Sequence, residues 1–79
     1  GTEQIDDQLN AKELGRTIRM FLDTLPERDQ DIFLQRYFFF DEPETIAARF
    51  GIKRNNVNLI LSRTRSKLKT YLTEEGYYL

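Results

Sequence analysis

The chain has no cysteine and no histidine among its 79 residues. A disulfide framework, a thiol nucleophile, a Cys/His zinc site and imidazole acid–base catalysis are therefore all excluded. No apolar run approaches the ~20 residues that a membrane-spanning helix needs, and no signal peptide is visible. Carboxylates, Ser/Thr, Tyr and Lys remain as reactive groups, and nothing in their spacing converges on a pocket. The expectation is a soluble intracellular protein that is not an enzyme and needs no cofactor or metal. With only two prolines, Pro26 and Pro43, each one marks a break between elements. The chain begins with Gly1 and not Met, the residue a vector leaves after tag cleavage, so a fragment of a longer protein is expected.

What is present is a mixed-sign, moderately apolar chain, 39% hydrophobic, 13% aromatic and 32% charged, which suits a compact helical domain better than disorder. A chain of this size buries only about 60–65% of its unfolded surface, so the core is thin and one domain over 1–79 is expected. The net charge of −1 hides an asymmetry. Residues 1–44 carry eleven acidic and five basic side chains, whereas residues 45–73 carry seven basic ones and no acid. Solvated helix faces would explain a mixture of signs. Separation on this scale sets up a directional field and fits a polyanion-binding half beside an acidic half.

Residues 3–10 (EQIDDQLN) are polar and acidic, with Ile5 and Leu9 spaced i, i+4. They read either as the start of the first helix or, over 1–10, as a frayed arm. From Ala11 onward, Leu14, Ile18, Phe21, Leu22 and Leu25 form one apolar stripe at helical spacing, interrupted only by Gly15, which costs ~1 kcal/mol relative to Ala. Leu25-Pro26 ends that helix, because proline disfavours helical geometry in the residue before it and suits the first turn of the next helix. Glu27, Asp29 and Asp31 then place negative charge where the helix dipole favours it. The second helix is expected to run to about Phe38, with Ile32, Phe33 (or Leu34) and Arg36-Tyr37 turning its apolar face toward the first. Phe38-Phe39-Phe40 cannot all share one face. Two of the three are expected to fill the core at the helix-to-turn junction, and the third to serve a partner surface.

Asp41-Glu42-Pro43-Glu44 reads as a helix start, with Asp41 as cap, Glu44 completing a capping box and Pro43 in the first turn. A short helix over 43–50 follows. Gly51 supplies the turn, since a left-handed backbone is least costly for glycine. The final helix is expected from about Arg54 or Asn55 to about Leu72, with Val57, Leu61, Thr64, Leu68 and Leu72 inward and Ile60 and Tyr71 at the edges. Gly76 is the expected C-cap, with Tyr77, Tyr78 and Leu79 folding back on the bundle. Ala47, Gly51 and Val57, set among Ile46, Phe50 and Ile52, have the spacing of two helices crossing at a tight turn. The fold class is therefore all-α: a four- to five-helix bundle with a C-terminal helix-turn-helix over 43–72 and a long recognition helix.

Counting about 100° per residue from Val57, the side of the last helix opposite the apolar stripe holds Asn55, Leu59, Ser62, Arg63 and Ser66, flanked by Asn56 and Asn58. Asn can pair with adenine, Arg with guanine, and Leu can contact a thymine methyl. The base-reading candidates are accordingly Asn55, Asn56, Asn58, Leu59, Ser62 and Arg63. Arg49, Lys53, Arg54, Arg65, Lys67 and Lys69 are read as phosphate contacts, which position a protein without reading sequence. A lone Asn or Arg on a helix is usually only solvated; here they cluster on the outward face of a motif identified by spacing. Leu59 is either a methyl reader or a protein-contact residue.

Over about residues 24–75 the chain resembles region 4 of the sigma-70 family of bacterial RNA polymerase sigma factors, closest to the extracytoplasmic-function type. The matching features are Leu25-Pro26-Glu27-Arg28, Arg36-Tyr37-Phe38, Glu44-Thr45-Ile46-Ala47, Phe50-Gly51-Ile52, Val57 and Leu61-Ser62-Arg63-Thr64-Arg65-Ser66-Lys67-Leu68. The resemblance implies that the last helix reads the upstream (−35) element of double-stranded promoter DNA in the major groove. It implies that the earlier helices offer an apolar surface to the β flap of the RNA polymerase core, and that an anti-sigma factor can cover either surface. No membrane partner is implied. Region 4 carries no catalysis, and region 2, which melts promoters, is not in this chain. A C-terminal domain of a longer sigma factor, cytoplasmic and nucleoid-associated in a bacterium, is thus expected. The chain departs from the family at Lys53, where a Ser or Thr cap is usual; Lys cannot accept that bond, so the helix is expected to start at Asn55 or Asn56. It departs again at Asn58, Leu59 and Ile60, where polar or basic residues are usual. Two alternatives stand beside this reading. One is another helix-turn-helix regulator, such as a response-regulator output domain. The other, motivated by Leu59 and Ile60, is an interaction module that docks on polymerase or an anti-sigma factor without strong DNA binding.

Overall fold

Among the described residues, prolines and glycines punctuate four helices: α1 Thr2–Asp23, α2 Glu27–Tyr37, α3 Pro43–Phe50 and α4 Arg54–Glu74. The structure is a computed structural model that describes residues 2–77, with side chains from residue 11 onward. Among the described residues there is no strand. Pro26 precedes the first turn of α2, where its carbonyl accepts the Gln30 N–H at 3.0 Å. Gly51 ends α3 in the left-handed region at φ 66°, and its N–H and that of Ile52 both point at the Ala47 carbonyl. Beyond α4, the Tyr77 N–H bonds the Leu72 carbonyl at 2.8 Å across Gly76 at φ 96°, the paired closure that a left-handed residue allows. Tyr77 is half-buried there, while Tyr78 and Leu79 lie outside the described residues.

Helix α4 is the spine, packing against α1, α2 and α3. It carries Val57 and Leu61 into one core cluster with Ile32, Ile46 and Ala47, and Leu68 and Tyr71 onto a second built from Phe21, Leu22 and Phe33. Neighbouring residues of α2 serve the two clusters. Ile32 points into the helix-turn-helix and Phe33 toward α1, with Leu34 packed beside it. The apolar face of α2 is thus split, and not turned to α1 alone. Thr64, the buried polar residue of the core, sits on the inward side of α4 as its spacing predicts.

Four expectations are corrected. First, Asp41 does not cap α3: the N-cap is Glu42, with no side-chain cap bond and Pro43 in the first turn. Asp41 lies one residue too early, and its carboxylate is drawn instead to Arg49 at 2.6 Å. Second, α4 begins at Arg54, within the start expected from its spacing, and not at the later Asn55 or Asn56 inferred from Lys53 at the N-cap. The Lys53 carbonyl accepts from Asn56 and Val57, and the burial of Val57 holds the first turn without a side-chain cap. Third, none of the three consecutive phenylalanines fills the core. Phe38, Phe39 and Phe40 are 59%, 71% and 78% exposed. The three rings follow the last residue of α2, and the chain turns back at Phe40, φ 58°, with the Asp41 N–H bonded to the Gln35 carbonyl. Fourth, Arg36 does not line the α1-facing surface, whereas Tyr37 does, sharing a groove with Ile18 of α1. Arg36 donates to the Asp41 carbonyl, and Tyr37 stacks on Phe33 at 4.8 Å while its hydroxyl accepts from Arg65 of α4.

Candidate nucleic-acid interface

The site is built by the α3–Gly51–α4 crossing. Ala47 is small enough for the helices to approach, and Ile46 and Val57 are fully buried between them. Ile52 packs from the turn onto the same cluster. With Val57, Leu61 and Thr64 inward, helical periodicity leaves the other side of α4 in solvent. Asn55, Asn56, Asn58, Leu59, Ser62 and Arg63 are all exposed there, and Leu59 shows 47% of its surface. An amide-rich, nearly uncharged strip is what the structure presents along the first half of α4.

The six basic candidates are also exposed, but they fall into two groups. Arg49, Lys53 and Arg54 lie at the turn and at the start of α4. Arg65, Lys67 and Lys69 lie about 15–21 Å further along the helix axis than Asn55, from a rise of about 1.5 Å per residue. The latter group borders grooves against α1 and α2: Arg65 and Lys69 on one side, Lys67 on the other beside Leu25 and Tyr71. The structure therefore does not gather all six around the reading strip.

Three of the arginines already have partners. Arg49 donates to the Asp41 carboxylate and, at 3.0 Å, to the Gln35 amide oxygen. Arg54 donates to Glu44 at 3.1 Å, and Arg65 to the Tyr37 hydroxyl at 2.7 Å. Glu44 is held below its ordinary carboxyl range, first by a backbone hydrogen bond at the start of α3 and then by the Arg54 side chain. Sequence reasoning assigned Asp41 and Glu44 to capping and missed that they pair with Arg49 and Arg54. The separations of eight and ten residues carry no local signal, because they close only when α3 folds back across α2 and α4.

A second surface lies on α1 and α2. Two grooves share Ile18 and Phe38. One, of about 420 Å³, has Leu68 and Leu72 in its wall and Arg65 and Lys69 at its rim. The other, of about 670 Å³, sets Lys12, Arg16 and Arg19 against Leu34. Among the described residues no carboxylate lines either one. The i, i+4, i+7 spacing of Lys12, Arg16 and Arg19 was a signal for this basic stripe that the overall acidity of the first half obscured. Among the described residues no carboxylate cluster could hold a metal ion, and no helix is long and apolar enough to cross a membrane.

A short helix, a left-handed glycine turn and a long helix with a polar outward strip define a helix-turn-helix DNA-binding domain. The family model described as sigma-70, region 4 matches residues 21–70, from the last turn of α1 through most of α4. The chain belongs to that family. It is a sigma-factor domain that binds DNA in transcription initiation, regulatory and not catalytic in kind. Comparison with curated proteins found no match, and comparison with solved structures found none.

Proposed function

We propose that this chain recognises the upstream element of a bacterial promoter through the first half of α4 while docking on RNA polymerase through α1, α2 and the 38–40 turn. It would act as the C-terminal domain of an extracytoplasmic-function sigma factor in the cytoplasm, at the nucleoid. The observation that carries the reading is the register of α4. Burial of Val57, Leu61 and Thr64 leaves Asn55, Leu59, Ser62 and Arg63 on the outward side of α4, with Asn56 and Asn58 exposed on its two flanks, and Lys53 and Arg54 at the end that enters a major groove first.

The electrostatics support a two-surface division of labour. Basic residues 45–73 attract the phosphate backbone, and the excess of acid in residues 1–44 gives the chain a charge polarity that orients its approach. On contact, phosphates compete with Asp41 and Glu44 for Arg49 and Arg54. The exposed phenylalanines and the apolar grooves beside them supply a dry surface for the β flap or for an anti-sigma factor. An interaction module without strong DNA binding is the second reading, favoured by Leu59 standing exposed in the middle of the strip.

Duplex binding measured across salt concentrations separates the two. A groove-bound domain loses affinity linearly on a log–log plot, and Lys53→Ala lowers the slope by about one unit. No salt-sensitive binding to any duplex, with polymerase still captured, would favour the interaction module.

A further inference from the structure

The strip that α4 presents is unusual in its chemistry: three asparagines within four positions, a leucine one turn on, and one arginine at its far end. We infer that the duplex read by this chain is A·T-rich over the base pairs facing Asn55, Asn56 and Asn58, with a thymine methyl against Leu59 and guanine confined to the reach of Arg63. This rests on the reading that α4 lies in the major groove.

An asparagine amide offers a donor and an acceptor side by side. Adenine presents the complement, an N7 acceptor beside an N6–H donor, so both bonds form. Guanine presents two acceptors, N7 and O6, and the amide oxygen would then face an oxygen with no proton between them. Buried in the interface, that unpaired group makes guanine the disfavoured base. Guanine is instead the partner of arginine, with its parallel donors.

The tertiary structure gives the other arginines at this end of the chain competing partners. Arg49 is tied to Asp41 and Gln35, Arg54 to Glu44 and Arg65 to Tyr37. Arg63 is exposed and has no ion pair among the described residues. It lies five to eight residues beyond the asparagines, about 8–12 Å along the axis, so its reach is centred on base pairs further along the groove than theirs.

Leu59 completes the pattern. It follows Asn55 by four residues and precedes Ser62 by three, so it stands on the same face between them. An apolar side chain in the middle of a polar strip gains by leaving water, and in the major groove the thymine C5 methyl is the apolar group to meet. Cytosine, without that methyl, gives nothing to replace the water.

The test is selection by the 79-residue chain, at low salt, from duplexes randomised over about ten base pairs, one turn of the helix, followed by sequencing of the retained pool. Enrichment of A·T at two or more neighbouring positions is expected, with a preference of about tenfold at each position an asparagine contacts. Asn58→Arg, an exposed substitution that leaves the core untouched, should convert one A·T preference to G·C. Uracil in place of thymine should weaken the unsubstituted chain several-fold and leave Leu59→Ala unchanged. A retained pool with G·C or no preference at these positions overturns the inference while DNA binding stands. A·T enrichment that Asn58→Arg does not move would come from groove shape and overturns it too. If no duplex is retained at any salt, the reading of α4 as a groove helix falls and the inference falls with it.

Discussion

Val57 and Asn58 are adjacent, yet the structure gives them opposite roles, and substituting each by alanine tests the register of α4. Val57 is 0% exposed at the α3–α4 crossing, in contact with the cluster of Ile32, Ile46 and Leu61. Removing two of its carbons forfeits about 1.6 kcal/mol at roughly 0.8 kcal/mol per buried methylene. The cavity left behind adds on the order of 1 kcal/mol, because close-packed helices relax only partly. Val57→Ala should therefore cost about 2–3 kcal/mol in all. For a domain of this length each kcal/mol moves the melting temperature by about 4–8 °C, so a fall of roughly 10–20 °C is expected. Asn58→Ala removes an exposed amide and should change the melting temperature by no more than about 2–3 °C, within the roughly ±0.5 kcal/mol usual for surface sites. Helical circular dichroism on heating measures both. DNA binding should show the reverse order when measured cold enough for both variants to be folded, with Asn58→Ala weakened and Val57→Ala close to unsubstituted. Equal melting shifts, or a larger one for Asn58→Ala, would mean that α4 is rotated from the orientation described and that the reading strip is misassigned.

Phe40 holds a left-handed backbone, φ 58°, with most of its side chain in water. Phe40→Asn, which tolerates that geometry, should raise the melting temperature by a few degrees, for a gain of about 0.5–1 kcal/mol, and Phe40→Val should lower it. Phe39→Asp should abolish capture of RNA polymerase in a pull-down and leave duplex affinity within about twofold, since Phe39 is 71% exposed and lies outside the α3–α4 crossing; unchanged capture would remove the 38–40 turn from the docking surface. Glu44→Gln frees Arg54 from its carboxylate, so duplex affinity at low salt should rise several-fold and the salt slope should steepen. The same variant tests a pH effect. The Glu44 carboxyl is depressed below 4.5, so its stabilising contribution is complete above that value and is lost as the pH falls through the folded pKa. Acid melting of the unsubstituted chain should show this loss, and Glu44→Gln should lose less stability over the same pH range.

Local chemistry makes several elements legible from the order of residues alone. Leu25-Pro26 separates α1 from α2, Gly51 marks the turn, and the spacing of Val57, Leu61 and Thr64 gives the buried side of α4. These signals act within a few residues, through φ restriction, the absence of a Cβ and the 3.6-residue period. The helix-turn-helix and its polar strip follow from them directly. What only the tertiary structure decided are relations across helices. Asp41 forgoes its cap because α3 brings Arg49 to it, and Glu44 meets Arg54 only after the Gly51 turn has crossed the two helices. Phe38, Phe39 and Phe40 stay in water beyond the last residue of α2, where the chain turns back. Composition counts apolar residues, but which of them find room inside is settled by packing. For the same reason the sequence determined that α4 is basic, whereas the fold determined that most of its flanking arginines are already engaged and that its reading strip is amide and apolar.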